Sequence, residues 1–368
     1  MMKRVKLGDI CIKQFSKYAQ KDLDELDGNY PVYGASGLIK KINVYHQEKE
    51  YVAVVKDGAG IGRTMYLPAK SSVIGTLQYL IPKDDIDAKY LYYAVKSRHL
   101  EKYYTGAAIP HIYFKDYQNE PILLHGTEEQ KQIVSVLERV ENIIKIRKQE
   151  LQHLDGLIQS RFVEMFVETG VVSEWPYLTI ADVSNDMRTG PFGSALHHNE
   201  FVDGGVFVLG IDNAVENKFS YSRMRYITEE KYQQLKRYTV HPGDVIITIM
   251  GTVGRSAVIP VDMPKAINTK HLACITPKAE TINAQFLSCA FQVHPDIRTQ
   301  LQKQCKGAIM DGLNLTIIKR LSFHIPPISL QNQFVKFYEQ TDKSKIAVQK
   351  ALEESQLLFD SLMQKYFG

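Results

Sequence analysis

The chain has 368 residues, 44% hydrophobic and 23% charged, and 45 Lys and Arg against 41 Asp and Glu leave a net charge of +4. These are the values of a folded globular protein, too long for one hydrophobic core, so we expect two domains and neither disorder nor a membrane partner. Because no long apolar run or signal segment is present and the four cysteines form no C-x-x-C pair, we expect a cytoplasmic protein without a disulfide framework or metal site.

The first third of the chain predicts a mixed α+β domain. "YVAVVK" (51–56) has the composition of a buried strand, and it leads into the glycine-rich "GAGIGRTMYLP" (58–68). "AKYLYYAVKSRHLEKYY" (88–104) has helical spacing. The domain therefore carries strands joined by glycine-rich loops, with at least one helix.

A long helix follows. Thr127 and Gln130 form a capping box, which predicts a helix from about 128 to 167. Its apolar positions follow a heptad spacing typical of a coiled coil. They are Ile133, Leu137, Val140, Ile144, Leu151, Leu154, Ile158 and Met165, with Arg147 and Arg161 in the two remaining places.

Beyond this helix the first pattern returns. "MGTVGRSAVIP" (250–260) repeats "GAGIGRTMYLP", with Gly254-Arg255 lying 192 residues after Gly62-Arg63. "TPK" (276–278) then repeats "IPK" (81–83), and "LQNQFV" (330–335) repeats "EQKQIV" (129–134). The separation grows slowly and never reverses, which indicates one ancestral unit of about 180 residues that was duplicated.

The second copy also ends in a heptad seam, with Ser329 as its N-cap. Two such helices satisfy each other most economically by antiparallel packing, so we expect the heads at opposite ends of a dumbbell. The predicted fold class is α+β, with two pseudo-symmetric domains separated by two long antiparallel coiled-coil helices. The predicted bounds are 1–126 and 170–328 for the domains and 127–169 and 329–368 for the helices. The second seam comprises Phe334, Tyr338, Thr341, Lys345, Val348, Leu352, Ser355, Phe359, Leu362 and Tyr366.

Catalytic motifs are missing from both copies. The chain has no G-x-x-x-x-G-K-[ST] and no G-x-S-x-G, and the glycine spacing of G-x-G-x-x-G fails in each copy. The acidic cluster "DDIDAK" (84–89) has no counterpart in the second copy. Two related, non-catalytic heads suit duplex DNA, where paired readers address two half-sites.

The repeated pattern, seen in "PGDVIITIMGTVGR" (242–255), and "RTGPFGSAL" (188–196) resemble the specificity subunit of type I restriction-modification enzymes over essentially the whole chain. "YPVYGASGLI" (30–39) occupies the comparable place in the first copy. The resemblance implies two target-recognition domains that read a bipartite, asymmetric site of double-stranded DNA. It also implies that the helices dock two methyltransferase subunits that bind S-adenosylmethionine, with restriction subunits that use ATP and Mg, and no cofactor in this chain.

Loop residues that differ between the copies are the expected readers of bases, since arginine and lysine suit guanine and glutamine suits adenine. We expect Gln78 to face His271, and Lys56-Asp57 to be replaced by Thr248-Ile249. The alternative for each residue is a solvated charge or a loop contact. The predicted DNA-contacting residues are Lys56, Arg63, Gln78, His111, Arg188, Arg255, Lys270, His271 and Lys306.

Other interpretations stay open at this level. The same architecture would suit a methylation-only system or one with a fused nuclease-methyltransferase partner. A coiled-coil scaffold for proteins would use the helices, yet it would not explain basic and amide side chains at equivalent loops. An enzyme would need a catalytic group present in both copies, and none survives the comparison of the copies.

Overall fold

A computed structural model describes residues 3–106, 110–192, 195–305 and 313–368. The chain divides into two compact units, one of residues 1–149 with 348–368 and the other of residues 150–347. We call them unit 1 and unit 2. The unit boundaries fall inside the two long helices, so each unit contains a head together with part of both helices.

Unit 1 begins with β1 (Lys3–Lys6) and closes its head with β9 (Pro121–Leu124), and these two strands pair antiparallel. A four-stranded sheet has the order β2-β8-β5-β6, and a three-stranded sheet has the order β4-β3-β7. The elements between β1 and β9 are α1 (Leu7–Ile10), β2 (Cys11–Phe15), β3 (Tyr30–Gly34), β4 (Gly37–Ile42), β5 (Tyr51–Val55), β6 (Thr64–Leu67), β7 (Ser72–Val73), β8 (Leu77–Pro82), α2 (Ala88–Lys96) and α3 (Phe114–Tyr117).

The first long helix, α4 (Thr127–Phe166), leads to unit 2, and the second, α9 (Ile328–Phe367), follows it. Unit 2 repeats the plan of unit 1, with sheets ordered β11-β18-β15-β16 and β13-β12-β17-β14 and with β10 paired to β19. Its elements are β10 (Tyr177–Thr179), β11 (Ser184–Thr189), β12 (Val206–Leu209), β13 (Tyr226–Ile227), α5 (Glu229–Leu235), β14 (Thr239–Val240), β15 (Val245–Thr248), β16 (Ser256–Val258), β17 (Ala266–Asn268), β18 (Leu272–Pro277), α6 (Ala284–Val293), α7 (Pro295–Cys305), α8 (Leu315–Arg320) and β19 (Ser322–His324).

A buried glutamine anchors the start of each long helix to its head. Gln130 Oε1 accepts the backbone N–H of Asp87 at 3.0 Å, and its amide donates to the carbonyls of Asp85 and His125. Gln331 repeats the arrangement, accepting from Asn283 at 2.8 Å and donating to two carbonyls. The two glutamines are 1% and 0% exposed, so the duplication extends to a buried hydrogen-bond network.

That network also meets the short helix of each head. Asp87 is the N-cap of α2 and Asn283 is the N-cap of α6, and each side chain accepts two backbone N–H groups of its helix. A cap of this kind satisfies donors that a helix start would otherwise leave unpaired. The long helix and the head helix are therefore positioned together in each unit.

The coiled-coil prediction is confirmed, since every seam position of both helices is buried or half-buried. In unit 2 the Phe162 ring lies 5.3 Å from the Phe334 ring, while Asp155, earlier in α4, pairs with Lys345, later in α9. In unit 1, Tyr93 bridges Glu141 of α4 and Phe359 of α9. From Asp155 to Phe162 the contacts advance along α4, while their partners in α9 go back from Lys345 to Phe334. The two helix segments therefore run antiparallel in unit 2.

The heptad pattern missed part of the unit 2 core. Phe162 and Phe166 are 0% and 1% exposed and pack against Phe286 of α6, although neither belongs to the predicted seam. Arg161, which does belong to it, is half-buried and forms an i,i+3 ion pair with the exposed Glu164. Among the described residues, no helix is long and apolar enough to cross a membrane.

Candidate nucleic-acid interface

The glycine-rich stretches form the same hairpin in both units. In unit 1, the Val55 N–H donates to Arg63 O at 2.9 Å and the Gly62 N–H donates to Val55 O at 2.8 Å. In unit 2, Thr248 pairs with Arg255 at 2.8 Å and Gly254 with Thr248 at 2.9 Å in the same way. The hairpins join β5 to β6 and β15 to β16, so the shared Gly-Arg dipeptide marks one structural position.

These hydrogen bonds correct the predicted residue correspondence. Because Val55 occupies the place of Thr248, Lys56 and Asp57 correspond to Ile249 and Met250, and the unit 2 loop is one residue shorter. The next strand shifts as well. Val55 pairs with Leu77 and Thr248 with Leu272, so Gln78 corresponds to Ala273 and not to His271.

The unit 1 loop gathers two of the predicted residues, Lys56 and His111, around the carboxylate of Asp57. Lys56 Nζ lies 2.6 Å from Asp57 Oδ2, and His111 Nδ1 lies 2.6 Å from Asp57 Oδ1. Burial by itself would raise the pKa of Asp57, but hydrogen bonds from Lys56 and His111 outweigh it and hold that pKa below its usual value. The side chains are about a quarter to a third exposed, so this cluster is fixed in place yet open to a partner.

Arg63 projects from the end of the same loop. It is exposed, and its Nη1 donates to the carbonyl of Ala35 in the β3–β4 turn at 2.8 Å. Tyr113 is 51% exposed and its ring stacks beside His111 at 6.1 Å. Unit 1 therefore presents cations and an aromatic ring on one loop surface.

Unit 2 presents a different set of side chains around its loop. The Ile249 N–H donates to His271 O at 2.9 Å, which joins the loop to the segment containing Lys270 and His271. Burial, followed by the positive charges of Lys270 and Arg225, lowers the pKa of His271 and favours its neutral ring. Lys270 and Arg255 are exposed. Gly190 lies so close to the backbone of Asn268 and Thr269 that a Cβ would not fit there.

Comparison with known proteins identifies the family. The profile described as type I restriction modification DNA specificity domain matches residues 1–155 and 173–356. The chain belongs to the type I restriction modification DNA specificity family.

Individual relatives agree with this assignment. The type I restriction enzyme MjaVIII specificity subunit of Methanocaldococcus jannaschii is 23% identical over 365 residues, which cover 89% of this chain and 84% of that protein. The EcoBI specificity subunit of Escherichia coli is 24% identical over 201 residues, covering 54% of this chain and 42% of that protein.

A solved structure shares the fold. The crystal structure of a type I restriction-modification S subunit from M. genitalium superposes with a TM-score of 0.64 at 16% identity, covering 100% of this chain and 96% of that one. The chain is thus a specificity subunit of a type I restriction-modification system, and it recognises DNA sequence. Such subunits work with DNA and with the other subunits of the system.

Two predicted DNA contacts of this specificity subunit do not fit the structure. Gln78 is 2% exposed inside the β2-β8-β5-β6 sheet, so its amide cannot reach a duplex in this conformation. Arg188 is 12% exposed and its Nη2 lies 2.5 Å from Asp244 Oδ2, whose side chain is 1% exposed. Its guanidinium also donates to Thr239 O and Thr276 Oγ1, so Arg188 is a core residue.

The other predicted residues keep their place as candidates. Lys56, Arg63 and His111 lie on one loop surface of unit 1, and Lys270, His271 and Arg255 lie around the loop of unit 2. Lys306 lies outside the described residues. DNA contact by the six described candidates stays a prediction.

The sequence comparison missed a charged segment of unit 2. Asp212, Arg223 and Arg225 lie between β12 and β13, and Asp212 pairs with both arginines. The copies do not align there, because unit 1 has almost no residues at this place. The available signal was the "SRMR" run (222–225) directly before a strand.

Proposed function

We propose that unit 1 and unit 2 each read one half of a bipartite, asymmetric site in double-stranded DNA, with 1–126 and 170–328 as the recognition domains. The observation that carries the proposal is the repeated hairpin, which has the same hydrogen bonds in both units but different exposed side chains. Two domains that share a fold but expose different loop side chains recognise two different half-sites of the DNA.

The long helices supply surfaces for partner subunits. In unit 1, Ile143, Ile146, Leu357 and Leu358 are 43% to 70% exposed, and in unit 2, Leu157 and Ile346 are 49% and 57% exposed. Several exposed apolar side chains close together on a helix are typical of an interaction surface. We assign these surfaces to two methyltransferase subunits, and one structural relative comes from a study of complex assembly in the type I system.

The chemistry then belongs to the partners. The methyltransferase subunits would bind S-adenosylmethionine and methylate adenine, and restriction subunits would use ATP and Mg to translocate and cleave DNA. This chain would supply sequence recognition without a cofactor, in the cytoplasm where the DNA lies. A methylation-only system would use the same chain without the restriction subunits.

The test maps modified bases in the DNA of cells with and without this chain. One bipartite adenine-methylated motif is expected to disappear on deletion and to return with the wild-type chain. Co-purification should give two methyltransferase subunits for each copy of this chain. A methylome that does not change, together with a chain that binds no methyltransferase and no duplex DNA, would overturn the proposal.

A further inference from the structure

Unit 2 carries a loop excursion that unit 1 lacks. In unit 1, β3 ends at Gly34 and β4 begins at Gly37, so only two residues form the turn. In unit 2 the equivalent β12 ends at Leu209 and β13 begins at Tyr226. The equivalence rests on the parallel pairing of β3 with β7 and of β12 with β17. The excursion therefore extends one corner of the same sheet.

A buried asparagine orders this excursion. Asn213 is 0% exposed, and its Oδ1 accepts the Gly210 N–H at 2.7 Å. Its amide donates to the carbonyls of Ser220 and Ser222 at 2.7 and 3.2 Å. One side chain thus ties both ends of the excursion together, and the segment has a defined path.

At the base of the excursion an arginine is held by a carboxylate. Arg225 Nη2 lies 2.5 Å from Asp212 Oδ2, and the two side chains are 31% and 28% exposed. Gly210 leaves the space for this guanidinium, since a Cβ there would collide with Arg225 Nη1. A guanidinium has five N–H donors, and the one bond to Asp212 leaves donors for a second partner.

A second arginine points to the same carboxylate from a strained backbone. Arg223 Nη1 lies 3.6 Å from Asp212 Oδ1, its side chain is 76% exposed, and its φ is +48°. A non-glycine residue in this left-handed region costs free energy and persists where the surrounding structure holds it in place. The pair of arginines around Asp212 is therefore a built feature of the excursion.

This feature adjoins the candidate interface. A Cβ on Gly251, in the glycine-rich loop, would lie 3.5 Å from Ile211 Cδ1, next to Asp212. β12 joins Arg225 to the segment that contains His271, because the Val208 N–H donates to Arg225 O at 2.8 Å and the Thr269 N–H donates to Leu209 O at 3.0 Å. Arg225, His271 and the glycine-rich loop consequently form one continuous surface in unit 2.

We propose that Arg225, positioned by Asp212, reads a guanine in the half-site recognised by unit 2. The inference rests on the proposed function. Its reason is preorganisation, because a planar fork already fixed by a carboxylate loses little freedom when it binds the O6 and N7 acceptors of guanine. Arg223, exposed and less constrained, contacts the phosphate backbone beside that base. Asp212 is a positioning residue.

The experiment uses cells that carry the complete system and replaces this chain by Arg225→Lys, Arg225→Ala or Asp212→Asn. Arg225→Lys keeps the charge and removes the fork, and Arg237→Lys, an exposed arginine elsewhere in unit 2, is the matched control. Modified-base sequencing gives the methylated motif for each variant. The wild-type chain should discriminate guanine from other bases at one position by about tenfold or more.

With Arg225→Lys that discrimination should fall to about threefold or less at that position, while the other half-site keeps its sequence. Asp212→Asn should relax the same position, and Arg237→Lys should change nothing. An unchanged motif with both Arg225 variants would overturn the inference and leave the proposed function intact. Loss of all methylation with Arg225→Lys would also overturn it, because Arg225 would then hold the fold. A motif that does not depend on the wild-type chain would remove the proposed function itself.

Discussion

Unit 1 and unit 2 share most of their strands and helices and differ in the loops that connect them. The hairpin hydrogen bonds, the order of the larger sheet of unit 1 and the buried glutamines have counterparts in unit 2, although the second sheet has three strands in unit 1 and four in unit 2. The loops do not correspond: the β5–β6 loop of unit 1 holds Lys56 and Asp57 beside His111, and the short β3–β4 turn of unit 1 is replaced in unit 2 by an excursion that carries Asp212 and Arg225. The residues of the shared strands and helices are constrained by packing and hydrogen bonding, whereas exposed loop side chains can vary with the ligand that they bind.

The interiors also diverged, at one matched pair of positions. Unit 1 buries Tyr51 and Tyr79 with ring centroids 5.2 Å apart, and the sheet registers place Asp244 and Cys274 there in unit 2. The carboxylate of Asp244 is 1% exposed and requires Arg188 as its partner. The aromatic pair of unit 1 is thus replaced in unit 2 by a carboxylate and a thiol, and the carboxylate forms a buried ion pair with Arg188 of β11.

The largest effect is expected from breaking that ion pair. Arg188→Ala leaves a buried carboxylate without its cation, which should destabilise unit 2 by about 3–5 kcal/mol. Hydrogen exchange of the β15 and β18 amides should rise, while β5 and β8 of unit 1 serve as an internal reference. If Arg188→Ala instead weakened DNA binding with unchanged exchange, the residue would be a surface contact, as the sequence predicted.

Removing the buried glutamines should have the next largest effect, and an equal one in each unit. Gln130→Ala and Gln331→Ala each leave a backbone N–H and two carbonyls without partners, which should cost about 3 kcal/mol per unit. Exchange should rise at the start of α2 in the first variant and of α6 in the second. Gln349→Ala, on an exposed face of α9, is the control and should change little. If one unit lost no stability on its substitution, the two glutamines would be equivalent in position but not in their contribution to stability.

The comparison also shows which features could be predicted from sequence. The heptad spacing predicted both helices, because burial on one face of a helix repeats every three or four residues whatever the partner. The Gly-Arg dipeptide predicted the duplication because the backbone of this turn requires the same residue type in both copies. Gly62 and Gly254 have φ of +79° and +82°, a conformation that strongly favours glycine in both copies.

Side-chain roles were harder to predict. Arg188 was predicted to read bases as a charged loop residue, whereas the structure places it in β11 and pairs its guanidinium with the buried carboxylate of Asp244. Gln78 was misplaced because the segment between the hairpin and the next long strand is three residues longer in unit 2: residues 256–271 separate Arg255 from Leu272, whereas residues 64–76 separate Arg63 from Leu77. Arg225 was missed because its position is set by an excursion that has no counterpart to align.

Substitution of Gly62 and Gly254 should destabilise the two units to different extents, and by less than the substitutions above. Alanine at either position adopts an unfavourable φ, at a cost of about 1 kcal/mol. At Gly62 the new Cβ also meets the backbone of Glu101, whereas at Gly254 it meets only Leu301 Cδ1 at 3.5 Å. Gly62→Ala should therefore cost about 2 kcal/mol and Gly254→Ala about 1 kcal/mol. Equal losses, measured by exchange in β6 and β16, would mean that the Glu101 backbone moves aside freely.

The smallest effect concerns the ionic part of DNA binding. Lys270 is exposed and forms no ion pair with any of the described residues, whereas Lys56 is neutralised by Asp57 at 2.6 Å. Each free cation that contacts a phosphate adds about 0.9 to the slope of log affinity against log salt. Lys270→Ala should lower that slope by about 0.9, and Lys56→Ala should lower it much less.

The slopes are measured by titrating the assembled complex with duplex DNA at several salt concentrations. Asp57→Asn provides the control, because it releases the Lys56 ammonium and should increase the slope while Lys270 is unchanged. A Lys56→Ala variant with the larger loss would mean that the Asp57 cluster opens on binding. Unit 1 would then contact DNA through charge, and the two loops would differ less in mechanism than their geometry indicates.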